Sequence, residues 1–242
     1  MSKKRNFGLD LVRAIAIVLV MISHLGIMPH YVGGLRIGQV GVEIFFVLSG
    51  FLIGGILLKE FSIGGVNFPV VMNFWIRRWF RTLPAYYLVL IAKFIFIDDS
   101  LGPKVLVYFF FLQNNFVGID FLGVSLSLVI EEWFYLLLPV FSLLLFYKRK
   151  FNLHSFLVLI ICFIVIENVL RLVWVMKTNR PYDSINGNFP FRLDSLMWGV
   201  LLSFVKIKYN EIYFWFSRTR VFVFFVLAYA LFLWYFGQTN LE

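Results

Sequence analysis

Long apolar runs broken by single charged residues set the pattern of this chain. The first, Leu9 to Gly26, reads LDLVRAIAIVLVMISHLG and is long enough to begin a membrane span over about Leu9 to Met28. It holds Arg13 and His24, which are eleven residues apart. That spacing puts them within roughly 20° of one helix face and about 16 Å apart along the axis. Ionisable residues inside a span are costly and normally turn to the bundle interior or to a wet cavity. A lone histidine can simply hydrogen-bond a neighbouring helix, but two ionisable groups on one stripe favour a site. A short outside loop, Pro29 to Ile37, follows and is expected to be a flexible connection.

The second span, about Val40 to Leu58, contains GVEIFFVLSGFLIGG, with Glu43 near its outer end and Ser49-Gly50 interrupting the run. Gly50, Gly54 and Gly55 suit close helix approach. Lys59 to Thr82 should return to the cytoplasm and end in FWIRRWFRTLP, an interfacial helix whose Arg77, Arg78 and Arg81 line one side, with Pro84 opening span three. Leu83 to Ile97 and Val105 to Phe116 are each short for a span. If both crossed, Lys148 to Lys150 would lie outside, against the charge rule. A re-entrant or interfacial piece is therefore expected between Asp98 and Gly123. Span five, about Leu126 to Tyr147, opens with SLVIEEWFY; Glu131 and Glu132 point about 100° apart, so at most one should face a partner directly. Span six, about Leu153 to Met176, carries Glu167 and Arg171 at ion-pair spacing. An outside loop, Lys177 to Phe189, leads to span seven, which opens with PFRLDSLMWG and runs to about Val205, with Arg192 and Asp194 at its start. Span eight covers about Val221 to Phe236. The expectation is an all-α, polytopic bundle of about eight spans in one domain, residues 1–242.

Composition agrees with a membrane class. The chain is 61% hydrophobic and 14% charged, with a mean hydropathy of +0.88, too little polar surface for a soluble domain of 242 residues. The net charge of +9 sits in short clusters between apolar runs, where it sets topology and meets anionic membrane lipid; no basic face tracks a nucleic-acid backbone. Lys3, Lys4 and Arg5 place the N-terminus in the cytoplasm. Span one is too long for a cleaved signal, so it is expected to stay. Cys162 is the only cysteine, which excludes a disulfide and a thiolate metal cluster, and no metal is expected.

Arginine forks grip phosphate oxygens, so the cluster at 77 to 81 suits a diphosphate approaching from the cytoplasm, beside its simpler role as a basic, aromatic anchor. The arginine, ten residues, then histidine of span one, together with GQVGVEIFFVLSGFLI, RRWFRTLP, SLVIEEWFY and FRLDSLMWGVLL, resembles in order and spacing the motifs of the membrane acyltransferase 3 family. That family includes O-antigen and exopolysaccharide O-acetylases. The resemblance runs from about Phe7 to Ser203. It implies transfer of an acyl group, most often acetyl, from cytoplasmic acyl-CoA to a hydroxyl of an envelope glycan or lipid-linked acceptor, in the cytoplasmic membrane. It implies that Arg13 and His24 are the essential pair, that Arg77, Arg78 and Arg81 match the basic motif, and that Glu131 or Glu132 matches the acidic one. Glu43, Ser49, Arg192 and Asp194 are further substrate-binding candidates. Glu43 stands where aspartate is commoner, and about eight spans stand where the family usually has about ten, which leaves a natural or a shortened end as alternatives. Transfer from a thioester to an alcohol needs a base and an oxyanion donor. With a reference pKa near 7, His24 suits the base or the acyl carrier. Two rivals are a proton-coupled transporter or flippase, which would show an inverted repeat that is not evident, and an inactive membrane scaffold.

Overall fold

The computed structural model describes residues 7–25, 31–32, 35–96, 102–113, 125–147, 149–178 and 192–217. These are helical apart from one two-residue ladder. The order is α1 (Phe7–Leu25), β1 (Tyr31–Val32), β2 (Leu35–Arg36), α2 (Ile37–Gly64), α3 (Phe68–Phe96), a 3₁₀ turn (Gly102–Lys104), α4 (Val105–Phe109), α5 (Leu126–Phe146), α6 (Leu153–Thr178), α7 (Leu193–Lys208) and α8 (Asn210–Ser217). Among them, five helices are long and apolar enough to cross a membrane: α1, α2 from Gly38, α3, α5 from Ser127, and α6. The chain is an integral membrane protein. Helix α7, with 16 residues, rises about 24 Å, less than a hydrocarbon core of about 30 Å. The expected span eight, residues 179–189 of the expected outside loop, and residues 190–191 at the expected opening of span seven lie outside the described residues.

The helices fall into two compact units. One is Met1–Gly55 with Gly199–Glu242, and the other is Ile56–Trp198. In the first, α1 packs on α2 through small residues. A Cβ on Gly41 would meet the Ala16 carbonyl oxygen at 2.8 Å, and one on Gly38 would meet Ser23 Oγ at 2.6 Å. Helix α2 meets α7 in the same way. A Cβ on Gly199 would lie 2.1 Å from the Val47 carbonyl oxygen and 2.6 Å from the Phe51 amide nitrogen, and one on Gly54 would lie 2.9 Å from Val200 Cα. The glycines of span two therefore do what their spacing suggested. The connection expected to be flexible instead carries an antiparallel ladder, Tyr31 opposite Arg36 and Val32 opposite Leu35.

In the second unit, α2 ends with a Gly65 at φ +70° whose amide donates to the Phe61 carbonyl at 3.1 Å. Asn67 then starts α3: its Oδ1 accepts from the Val70 amide at 3.0 Å, and its Nδ2 donates to the Gly64 carbonyl at 2.8 Å. Helix α3 corrects two expectations. Pro84 lies inside it rather than opening a new span, and Leu83 to Phe96 is the second half of one 29-residue helix. Proline removes one backbone donor, a loss that membrane helices tolerate where side chains and neighbouring helices re-satisfy the freed group.

Helices α3 and α5 are antiparallel. Trp75 Nε1 donates to the Tyr135 carbonyl at 2.9 Å, the Thr82 hydroxyl donates to Glu132 Oε1 at 2.7 Å, and Tyr86 and Ser125 meet through Gln113. Phe61, Phe146, Phe151 and Phe156 cluster with ring centroids 5.1–6.3 Å apart, so the end of α2, the end of α5 and the start of α6 share one side. The 3₁₀ turn and five-residue α4 are too short to cross. The same ring cluster brings the chain near Lys59 and near Arg149 to one end of this unit, while residues 98–101 and 114–123 of the expected re-entrant piece lie outside the described residues.

Candidate functional site

Candidate residues occur in each of the two units. On α1, the positions that turn inward repeat with a helical period: Arg13 is half-buried, Ala16 is fully buried, and Leu19, Val20 and Ser23 are half-buried. Arg13 Nη1 binds Asp10 Oδ1 at 3.0 Å, an i,i+3 pair missed in the sequence although both residues are polar on one face. His24 is exposed at the end of α1 rather than turned into the bundle. Glu43 and Ser49 on α2 are half-buried in the same unit.

The second unit builds a polar cluster between α3 and α5. Glu131 and Glu132 are both buried, at 6% and 5% exposure, and each has a partner. This corrects the expectation that only one could. Glu132 accepts from Thr82 across to α3, while Glu131 Oε2 accepts from the Tyr135 hydroxyl at 3.1 Å one turn along its own helix. A 100° separation lets both be buried because α5 is packed on more than one face, with Val129, Ile130, Phe134 and Leu138 all sealed. Arg78 turns into the cluster, its guanidinium carbon 4.9 Å from the centre of the Tyr135 ring. Arg77 instead pairs with Glu60 at the end of α2, and Arg81 is exposed. The three arginines thus do not line one side: at 100° per residue, neighbours 77 and 78 must diverge. Trp75 and Trp79 stack at 5.6 Å on the same helix, and the Trp75 bond to α5 fixes the pair.

Arg78 Nε and Glu132 Oε2 are buried without a hydrogen-bond partner among the described residues. A buried donor and a buried acceptor, each costly if unsatisfied, are what a ligand with both functions would complete.

Arg192 and Asp194 lie at the start of α7, both buried. Asp194 Oδ1 holds Arg171 Nη2 at 2.9 Å, and the same nitrogen is 3.7 Å from Glu167 Oε1. Glu167 also accepts the Leu193 amide at 2.6 Å, capping α7 from α6. The expected local pair Glu167–Arg171 is therefore one part of a three-residue latch. Its side chains are 4–12% exposed. Removing the one cation should cost about 3–5 kcal/mol, because two carboxylates stay buried against each other. We expect Arg171→Met to lower the thermal midpoint in detergent sharply, and the charge-free triple variant Glu167→Gln, Arg171→Met, Asp194→Asn to recover most of it. Equal midpoints for Arg171→Met and the native chain would remove the latch.

A family model described as "Acyltransferase domain" matches residues 6–241. The Listeria monocytogenes "Peptidoglycan O-acetyltransferase OatA" is 31% identical over 223 residues, 84% of this chain and 34% of that protein. The Staphylococcus aureus (strain COL) "Putative O-acetyltransferase SACOL0978" is 30% identical over 218 residues, 82% of this chain and 34% of that protein. The Bacillus subtilis "Putative peptidoglycan O-acetyltransferase YrhL" is 32% identical over 185 residues, 67% of this chain and 28% of that protein. This chain spans about a third of the length of the first two. No solved structure matches it.

Proposed function

Since this chain belongs to the acyltransferase 3 family, we propose that it is the membrane domain of an O-acyltransferase that moves an acetyl group from acyl-CoA to a hydroxyl of an envelope glycan. The observation that carries this reading is the Arg78–Glu132 cluster with its buried leftover donor and acceptor, in a chain similar to proteins named for peptidoglycan O-acetylation. The acceptor class follows those names.

In this reading Arg78 and the exposed Arg81 take the donor's phosphates, with Arg77 held beside them by Glu60. Glu132, anchored by Thr82, and Glu131, anchored by Tyr135, set the orientation of Arg78. His24 removes the proton from the acceptor hydroxyl as its oxygen attacks the thioester carbonyl. The carbon–sulfur bond breaks, an ester forms, and the CoA sulfur leaves with the proton His24 had taken. The acyl carrier remains the second role open to His24. Arg13 supports the donor on the same stripe, and Glu43 and Ser49 contact substrate. Arg192 and Asp194 act by holding the start of α7. The reading takes residues 1–242 as one domain in the cytoplasmic membrane, with the N-terminus cytoplasmic because Lys3, Lys4 and Arg5 precede α1.

Purified protein given labelled acetyl-CoA and soluble peptidoglycan fragments should release CoA and pass label to the glycan. A transporter or scaffold would leave the thioester intact. Arg13→Lys, which keeps the charge but loses the fork, should raise the KM for acetyl-CoA several-fold more than that for the acceptor. A change confined to the acceptor would move Arg13 out of the donor site.

A further inference from the structure

Apart from the arginine cluster, the Ile56–Trp198 unit holds a neutral polar group centred on Gln113, which has 0% exposure. Its Nε2 donates to the Tyr86 hydroxyl at 3.4 Å and to Ser125 Oγ at 3.2 Å. Its Oε1 is buried without a hydrogen-bond partner among the described residues. The network fixes which end of the amide is which. The Tyr86 hydroxyl gives its one proton to the Tyr108 carbonyl at 2.9 Å, so it can only accept from Gln113, and only the NH₂ end can face it.

The neighbouring acceptors are already taken. Backbone donors reach part of the end of α4, Phe111 N–H to the Tyr108 carbonyl at 3.3 Å and Leu112 N–H to that of Val107 at 3.1 Å, and three side chains supply further donors. Tyr86 holds the Tyr108 carbonyl, Tyr87 holds that of Phe109 at 3.1 Å, and Trp133 holds that of Phe111 at 2.9 Å. Phe111 adopts φ +57°, a left-handed conformation rare for a large side chain, to make this arrangement. Gln113 Oε1 is the acceptor left over, and it lies among aromatic faces, Tyr86 on Phe111 at 4.9 Å and Tyr87 on Phe109 at 5.3 Å.

Position suggests the donor that completes it. Tyr86 follows Arg78 by eight residues on α3, about 12 Å, and Ser125 precedes Glu132 by seven at the start of α5, about 10 Å. A ligand whose phosphates rest at the arginines and whose neutral chain runs on along the α3–α5 seam would reach Gln113 with an amide. We propose that Gln113 Oε1 accepts a hydrogen bond from an amide N–H of the acyl donor's pantetheine-type arm, admitted as short α4 shifts on its three side-chain bonds. This rests on the reading that the arginines bind the donor's phosphates. A sugar with several hydroxyls would need several free acceptors, whereas one amide N–H needs one.

The test compares calorimetric binding of CoA with that of adenosine 3′,5′-bisphosphate, which lacks the arm, to the full chain in detergent. Gln113→Met should weaken CoA binding about five- to tenfold, the worth of one buried hydrogen bond, and leave the bisphosphate unchanged. Arg78→Gln should weaken both. Native affinity for CoA in Gln113→Met overturns the proposal and means that an internal water, or nothing, completes Oε1. Failure of the native chain to bind either compound overturns the donor reading as well, which separates the two. If Gln113→Met does not fold, Tyr86→Phe decides: freed to turn, the amide should lose two- to threefold on CoA alone, and no loss, or equal loss on both compounds, overturns the proposal.

Discussion

Replacing His24 by alanine should lower acetyl transfer by about 10²- to 10⁴-fold, the range for a lost general base, while leaving the thermal midpoint unchanged. The second half of that expectation comes from the structure. His24 is exposed at the end of α1, whereas the packing of α1 on α2 runs through Ala16, Val20 and Ser23, so truncating the imidazole opens no cavity. Binding of CoA should also survive, since the arginines assigned to its phosphates lie on α3. Measured side by side, kcat, midpoint and CoA affinity separate a chemical role from a structural one. Native kcat in the variant would end the assignment of His24 as base or acyl carrier.

Gly199→Leu should abolish the folded protein. The nearest atoms to an added Cβ are backbone: the Val47 oxygen at 2.1 Å, the Phe51 nitrogen at 2.6 Å and the Gly50 carbonyl carbon at 2.9 Å. A flexible side chain could swing away from such a contact; two helical backbones cannot without separating α2 from α7. Overpacking a core typically costs about 1–3 kcal/mol, and here the helices must part, losing the close contact on which membrane packing depends. Even Gly199→Ala should lower the midpoint measurably. Gly55→Ala, facing only Ser203 Oγ at 3.1 Å, should be mild by comparison. Size-exclusion profiles and midpoints in one detergent check the series, and a monodisperse, native-like Gly199→Leu would refute the close approach.

How far the sequence could be read follows from the range of the forces involved. The bounds of α5 and α6 were legible because an apolar run with polar flanks is a local signal: Leu126 to Tyr147 was expected and Leu126–Phe146 is found. The glycines of α2 were legible for the same reason. Pro84 misled because proline, with no N–H and a ring that crowds the preceding turn, usually ends helices in soluble proteins, whereas membrane helices tolerate it where neighbouring groups re-satisfy the freed carbonyl, and α3 runs on through it. The latch of Glu167, Arg171 and Asp194 was half-legible: i,i+4 spacing gives the first two, but the arrival of Asp194 from 23 residues away is tertiary. The arginines show the same limit. Spacing said that 77, 78 and 81 crowd one stretch of helix, and only packing against Tyr135 decides that Arg78 is the one turned inward. Gln113 gave no signal at all, since a single amide in an apolar stretch carries no pattern until its hydrogen bonds are seen.

In the proposed function an acyl group passes from CoA on one side of the membrane to a hydroxyl on the other. Proteoliposomes of fixed orientation, with labelled acetyl-CoA supplied only at the face carrying Lys59 and Arg149 and peptidoglycan fragments only at the opposite face, measure this directly. Labelled O-acetyl glycan should appear in the acceptor compartment with the native protein and not with His24→Ala. Acetylation that occurs only when both compounds share one compartment, or release of label without transfer at equal rates in the two proteins, would contradict it.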